Sequence, residues 1–166
     1  MYLWILAPFA LQTLLMAVDE WFFHLPRGLP KWERIGHPLD TLSMILCYIF
    51  VQYIPYSTSN IKWFIGLALL SCLMITKDEF IHKHHCTASE HWIHAMLFIN
   101  HPILLTSLGI CWPVIHQKNI PVWISSWMNY PDVVSFILSM EALMVGSFLV
   151  YQVFYWNFVW KEDRAV

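Results

Sequence analysis

The chain has 166 residues, 58% of them hydrophobic and 12% charged, with a formal net charge of −2. Soluble domains carry roughly 45–50% apolar and about 25% charged residues, so this composition excludes a nucleic-acid binder, a disordered tail and an enzyme with a solvated surface. The charges are also segregated. No Asp, Glu, Lys or Arg occurs in 1–18, 41–61, 63–76, 91–117 or 142–160, and such runs approach or reach the ~20 residues needed to cross a bilayer core.

The pattern predicts an all-α integral membrane protein, a single transmembrane domain over 1–166. Five spans are expected at roughly 2–24, 38–56, 61–85, 90–116 and 132–160. Met1–Trp4 has no positive charge and no small-residue cleavage pattern precedes Asp19, so the first run is read as a retained helix rather than a signal peptide. Pro26, Gly28 and Pro30 punctuate the first connection, and Pro55–Asn60 forms the second. The last connection, 117–131, carries Pro121, Trp123, Trp127 and Pro131 and suits a stretch lying among lipid headgroups. Cys47, Cys72, Cys86 and Cys111 are isolated and read as reduced thiols.

Charge asymmetry gives an expected orientation. Arg27, Lys31, Arg34, Lys77, Lys83, Lys161 and Arg164 fall on the side where span one ends, against Lys62 and Lys118 on the other. The positive-inside bias makes the first side cytoplasmic, with the N-terminus outside and the C-terminus inside. The first five of these bases are read chiefly as headgroup contacts, with neutralisation of nearby acid as the alternative.

An internal repeat is also legible. Asp19-Glu20 matches Asp78-Glu79, and Glu33-x-x-x-His37 matches Glu90-x-x-x-His94, while a second register aligns His37-Pro38 with His101-Pro102. The halves, about 1–56 and 61–116, become two parallel hairpins related by an axis along the membrane normal. They form a four-helix bundle to which span five is added.

The acids and histidines concentrate at one level of that bundle. Span one ends with Asp19, Glu20 and His24, and span two begins with Glu33, His37 and Asp40. Span three ends with Asp78, Glu79, His82, His84 and His85; span four begins with Glu90, His91 and His94, with His101 deeper. Glu20/His24, Asp78/His82 and Glu90/His94 are i,i+4 pairs, so each shares a helical face. Carboxylates beside neutral imidazoles, partly withdrawn from water, suit a divalent metal: the ion offsets the acids and the imidazoles donate nitrogen.

The expected ligands are Glu20, His24, Glu33, His37, Asp40, Glu79, His82, Glu90, His94 and His101, with Asp19, Asp78, His85 and His91 in reserve. His84 lies off the stripe of Asp78, His82 and His85. Glu141, alone in span five, should be hydrogen-bonded and face the bundle or a cavity. Tyr151, Gln152, Tyr155 and Asn157 could support the site or make ordinary interhelical hydrogen bonds.

His82-x-His84-His85 and His91-x-x-His94 resemble fragments of the histidine boxes of integral-membrane di-iron oxygenases of the desaturase and hydroxylase type, although the full three-box pattern is absent. The resemblance implies metal ligation at His82, His85, His91 and His94. The functional expectation is a dinuclear metal oxidoreductase, holding two iron ions (zinc or manganese as alternatives) and acting on a lipid or isoprenoid-like substrate among membrane lipids. A separate cytoplasmic protein would donate electrons. The alternatives are a zinc-dependent intramembrane hydrolase and a non-enzymatic metal transporter or sensor.

Overall fold

Among the described residues the apolar runs become helices, and the first of two π-turns falls where the polar residues begin. In a computed structural model that describes residues 3–77, 86–117, 120, 122–125 and 130–160, no strand occurs among the described residues. Helix α1, Trp4–Arg27, opens with a 3-10 turn and continues as regular α-helix over Ala7–Asp19. It then widens into a π-turn at Glu20–His24, closed by the Leu25 N–H on the Glu20 carbonyl. Gly28 ends it with φ +76°, a conformation that favours glycine, and its N–H bonds the His24 carbonyl at 2.8 Å.

Helix α2 is Glu33–Tyr53 and α3 is Thr58–Met74, the latter capped by Ser57 Oγ, which accepts from the Asn60 N–H at 3.2 Å. Helix α4, Ala88–Ile115, starts with a reciprocal box between Thr87 and Glu90. Val122–Ser125 makes one helical turn, and α5, Pro131–Val159, closes with a second π-turn at Tyr155–Val159.

Three of these helices, α1, α4 and α5, are long and apolar enough to cross a membrane. Helix α3 is apolar but shorter. Helix α2 carries Glu33, Arg34, His37 and Asp40 in its first turns, yet Ile35, Leu39, Leu42, Leu46, Ile49 and Tyr53 stand exposed along one stripe. Large apolar side chains are likewise exposed on the other four helices, among them Trp21, Trp63, Trp92 and Phe136. A surface of this kind is the reverse of a water-facing one.

Helix α2 starts earlier than the sequence suggests. His37 precedes Pro38, a position that disfavours the α region, but Ile35 N–H and Gly36 N–H already bond the Trp32 carbonyl. The helix is therefore established before the ring of Pro38 is reached, and only one backbone donor is missing.

The extensive interfaces are α2 with α5, α1 with α4 and α2 with α3. Helices α1 and α2 meet where they are joined, through the His24 and His37 rings and the Arg27–Glu33 pair. The main core lies toward the other end, around Phe9, Cys47, Tyr48, Val51, Leu104, Leu108, Cys111, Trp112 and Leu138. Trp112 Nε1–H donates to the Ile54 carbonyl there, at 2.8 Å. Apolar packing thus holds one half of the bundle and leaves the other to polar side chains.

Candidate metal centre

The π-turn decides which acid of span one enters the site. In a regular α-helix, residues five apart diverge by about 140° around the axis. Widening the turn to i→i+5 bonding swings His24 back over Asp19, and His24 Nε2 lies 3.3 Å from Asp19 Oδ2. His24 Nδ1 meets Glu20 Oε2 at 3.2 Å. Glu20 is otherwise fully engaged: its Oε1 accepts from Tyr151 O–H at 2.7 Å and from Trp156 Nε1–H at 3.0 Å, both from α5.

Helix α4 supplies the opposite wall. The Thr87 box fixes Glu90: its N–H bonds Thr87 Oγ1 at 3.3 Å, and its Oε2 accepts from the Thr87 N–H at 3.4 Å. Glu90 Oε1 is left 3.9 Å from His24 Nε2. One turn on, His94 Nε2 lies 3.2 Å from Asp19 Oδ1. Asp19, His24, Glu90 and His94 are all buried, and one potential ligand atom from each lies within 4.8 Å of the others. A second such group shares His24 and adds Glu33 and His37 from the start of α2.

These donors fit a metal in two respects. Bonds of 2.0–2.2 Å to a tetrahedral ion place ligand atoms about 3.4 Å apart, and here one ligand atom from each of the four residues lies within 4.8 Å of the others. His24 Nε2 is buried and makes no hydrogen bond of good geometry, although two carboxylates surround it. Charge favours a cation as well. Asp19, Glu20, Glu33 and Glu90 are each at most 6% exposed, and among the described residues Arg27 meets two of them, its Nη2 donating to Glu90 Oε1 at 2.8 Å and Glu33 Oε2 at 3.0 Å. Buried charge of one sign is costly unless something offsets it.

The remaining expected ligands fall elsewhere. Asp40 is paired with Lys77 from the end of α3, whose ammonium also donates to the Gly36 carbonyl at 3.0 Å. His101 Nε2 bonds Ser71 Oγ at 2.9 Å, outside both ligand groups. His91 is half-buried and belongs to neither group. Asp78, Glu79, His82, His84 and His85 lie outside the described residues. Burial, followed by the Glu90 carboxylate, pushes the Cys86 thiol beside the site up to about 12, so it stays a thiol at neutral pH.

Next to the ligand groups is a chamber of about 90 Å³. Asp19, His24, His37, Asp40 and His94 line it on one side, and Met44, Phe98 and Phe148 among others on the apolar side. A second cavity, about 240 Å³, lies between α1 and α5 along Thr13, Ala17, Trp21, Met144 and Val145, and ends at Glu20 and Tyr151. Met16 and Phe148 line both.

Comparison with protein-family models, with curated proteins and with solved structures finds no match.

Several residues were underread in the sequence. Arg27 pairs with acids of the cluster and Lys77 with Asp40 outside it, the alternative to headgroup contact in both cases. Trp156, which has no place among the expected site residues, holds Glu20. Thr87-x-x-Glu90 is a capping-box pattern that could have been read directly, and it explains why Glu90 rather than His91 faces inward. Tyr151 and Gln152 do reach inward, Gln152 Oε1 accepting from Thr41 Oγ1 at 2.8 Å. Asn157 bonds its own helix at the Val153 carbonyl. Glu141 takes a hydrogen bond from Thr13 at 3.0 Å.

Proposed function

We propose that this protein is a membrane-embedded, metal-dependent oxidoreductase with a dinuclear iron centre, acting on a lipid or isoprenoid-like substrate. The observation that carries this reading is the pair of overlapping buried ligand groups, which share His24 and sit beside a chamber inside an apolar bundle. Asp19, His24, Glu90 and His94 would hold one ion, through Nε2 of His24, and Glu33 and His37 beside it would hold the other. Bound iron would supply oxygen activation and one-electron chemistry that side chains lack. The chain's own contribution is positioning. Tyr151 and Trp156 fix Glu20, Glu20 orients His24, and Arg27 spaces Glu33 from Glu90.

In this reading all five helices cross the bilayer, four of them as a bundle built from two hairpins. The N-terminus lies outside, and the centre faces the cytoplasm, where a separate protein donates electrons. Zinc-dependent hydrolysis is the second reading, favoured by the four-residue group: three of its four donors, two nitrogens and two carboxylates, would hold a tetrahedral ion and leave its fourth position to water. Zinc would lower the pKa of a bound water to about 7.

Elemental analysis of untagged protein purified in detergent without chelators decides between them. The expected result is two iron ions per chain and absorption in the near ultraviolet, where a zinc protein is colourless. Less than about one equivalent of any transition metal overturns both readings.

A further inference from the structure

The chamber beside the ligand groups is lined at residues seven apart on each of three helices: Asp19 and Gln12 of α1, His94 and His101 of α4, His37 and Met44 of α2. Seven residues are two turns, about 10 Å, so the chamber extends from the ligand groups along the helices. At about 90 Å³ it is smaller than the ~150 Å³ of a cavity that holds benzene. Such a volume, drawn out over two turns, admits an unbranched chain in preference to a ring.

Gln12 brings a donor to the far end. Asn100 Nδ2 donates to the Pro8 carbonyl at 2.8 Å and to Gln12 at 2.9 Å. A carbonyl only accepts, so the Pro8 bond fixes which end of the Asn100 amide is nitrogen, and the Gln12 atom that it meets is Oε1. Gln12 Nε2 keeps both its protons and makes no hydrogen bond among the described residues. The side chain is 6% exposed and lines this chamber, and its Nε2 is not among the polar atoms that packing seals off. Met16 and Met44 line the same end, where His101 is engaged by Ser71 at 2.9 Å. A water needs two to four polar partners and would find only the amide there. An acceptor oxygen carried on an apolar chain satisfies the amide and strands no proton of its own.

We propose that the chamber binds an unbranched aliphatic ketone, its carbonyl oxygen accepting from Gln12 Nε2–H and its chain running between the helices toward Asp19, His37 and His94. This rests on the oxidoreductase reading and deepens it by naming a substrate class, a carbonyl compound presented to the centre at a carbon remote from its oxygen. Binding itself does not require the metal.

The test uses the full-length protein in lipid nanodiscs and methyl pentyl ketone isotope-labelled at its carbonyl. Infrared difference spectra are read against protein-free nanodiscs, and metal content is measured on the same samples. A carbonyl band at lower wavenumber than that of the ketone in lipid is expected in wild type and should be lost in Gln12→Leu. Unlabelled ketone should displace the bound label about 2–10-fold better than the alkane of equal length, and better than cyclohexanone. Should Gln12→Leu not fold, the wild-type band and the competition still decide. Absence of a shifted band, a band unchanged in Gln12→Leu, or equal competition by the alkane or by cyclohexanone overturns the proposal. Full metal content with no shifted band refutes this subsite alone; a shifted band in protein that takes up no metal refutes the metal reading alone.

Discussion

Replacing Arg27 by methionine tests whether the acid cluster needs a cation. Arg27 reaches two carboxylates, Glu33 and Glu90, that are 0% and 1% exposed, at 3.0 and 2.8 Å. Methionine keeps the apolar stem and removes the charge, so both acids lose the guanidinium at once. Breaking a buried ion pair in this way typically costs about 3–5 kcal/mol. For a chain of this length that corresponds to a fall of about 6–20 °C in melting temperature. A metal bound by Asp19, His24 and Glu90 would supply positive charge to the same cluster. The loss should therefore appear in full in chelator and shrink when iron(II), manganese(II) or zinc(II) is added. Metal at a hundred times its dissociation constant stabilises by about 2.7 kcal/mol even without Arg27. Circular dichroism melts of wild type and R27M, each with chelator and with metal, give the four numbers required. If metal shifts neither protein, or if R27M melts with wild type in chelator, the cluster does not work by charge compensation.

Other expectations follow from the same geometry. Asp19→Asn should lower bound metal at least about tenfold while Glu20→Gln lowers it less, because Asp19 faces both His24 and His94 whereas Glu20 is tied to α5; equilibrium dialysis against a metal buffer reads the difference. Tyr151→Phe should cost about 1.5–3 kcal/mol of stability by removing a 2.7 Å hydrogen bond to Glu20, seen as a lower melting temperature. Gly28→Ala should destabilise by about 1–3 kcal/mol, since a Cβ there would lie 2.4 Å from the Trp160 ring at a φ of +76°. Gly66→Ala, in mid-helix with open space around it, should instead stabilise by up to about 1 kcal/mol in the same melts. Alkylation of Cys86 should be slow at neutral pH and rise about tenfold per pH unit toward its raised value of about 12, as the thiolate fraction grows.

Composition and charge spacing were enough to establish a helical, membrane-type chain. Apolar runs free of charge dictate helices in any surroundings without water, because each helix satisfies its own backbone. The gathering of Asp19, His24, Glu33, His37, Glu90 and His94 was legible for the same reason: helices that alternate direction return their ends to one level. Tertiary structure alone decided the roles within that set. A π-turn exchanged Asp19 for Glu20 at the ligand face, and helical periodicity could not reveal it, since the extra residue in the turn leaves no mark in composition. Arg27 and Lys77 became internal counter-ions because packing turned their stems inward, where a one-dimensional reading sees only bases beside a membrane. The free amide protons of Gln12 rest on Asn100, which comes from another helix and acquires meaning only when the two helices are brought together.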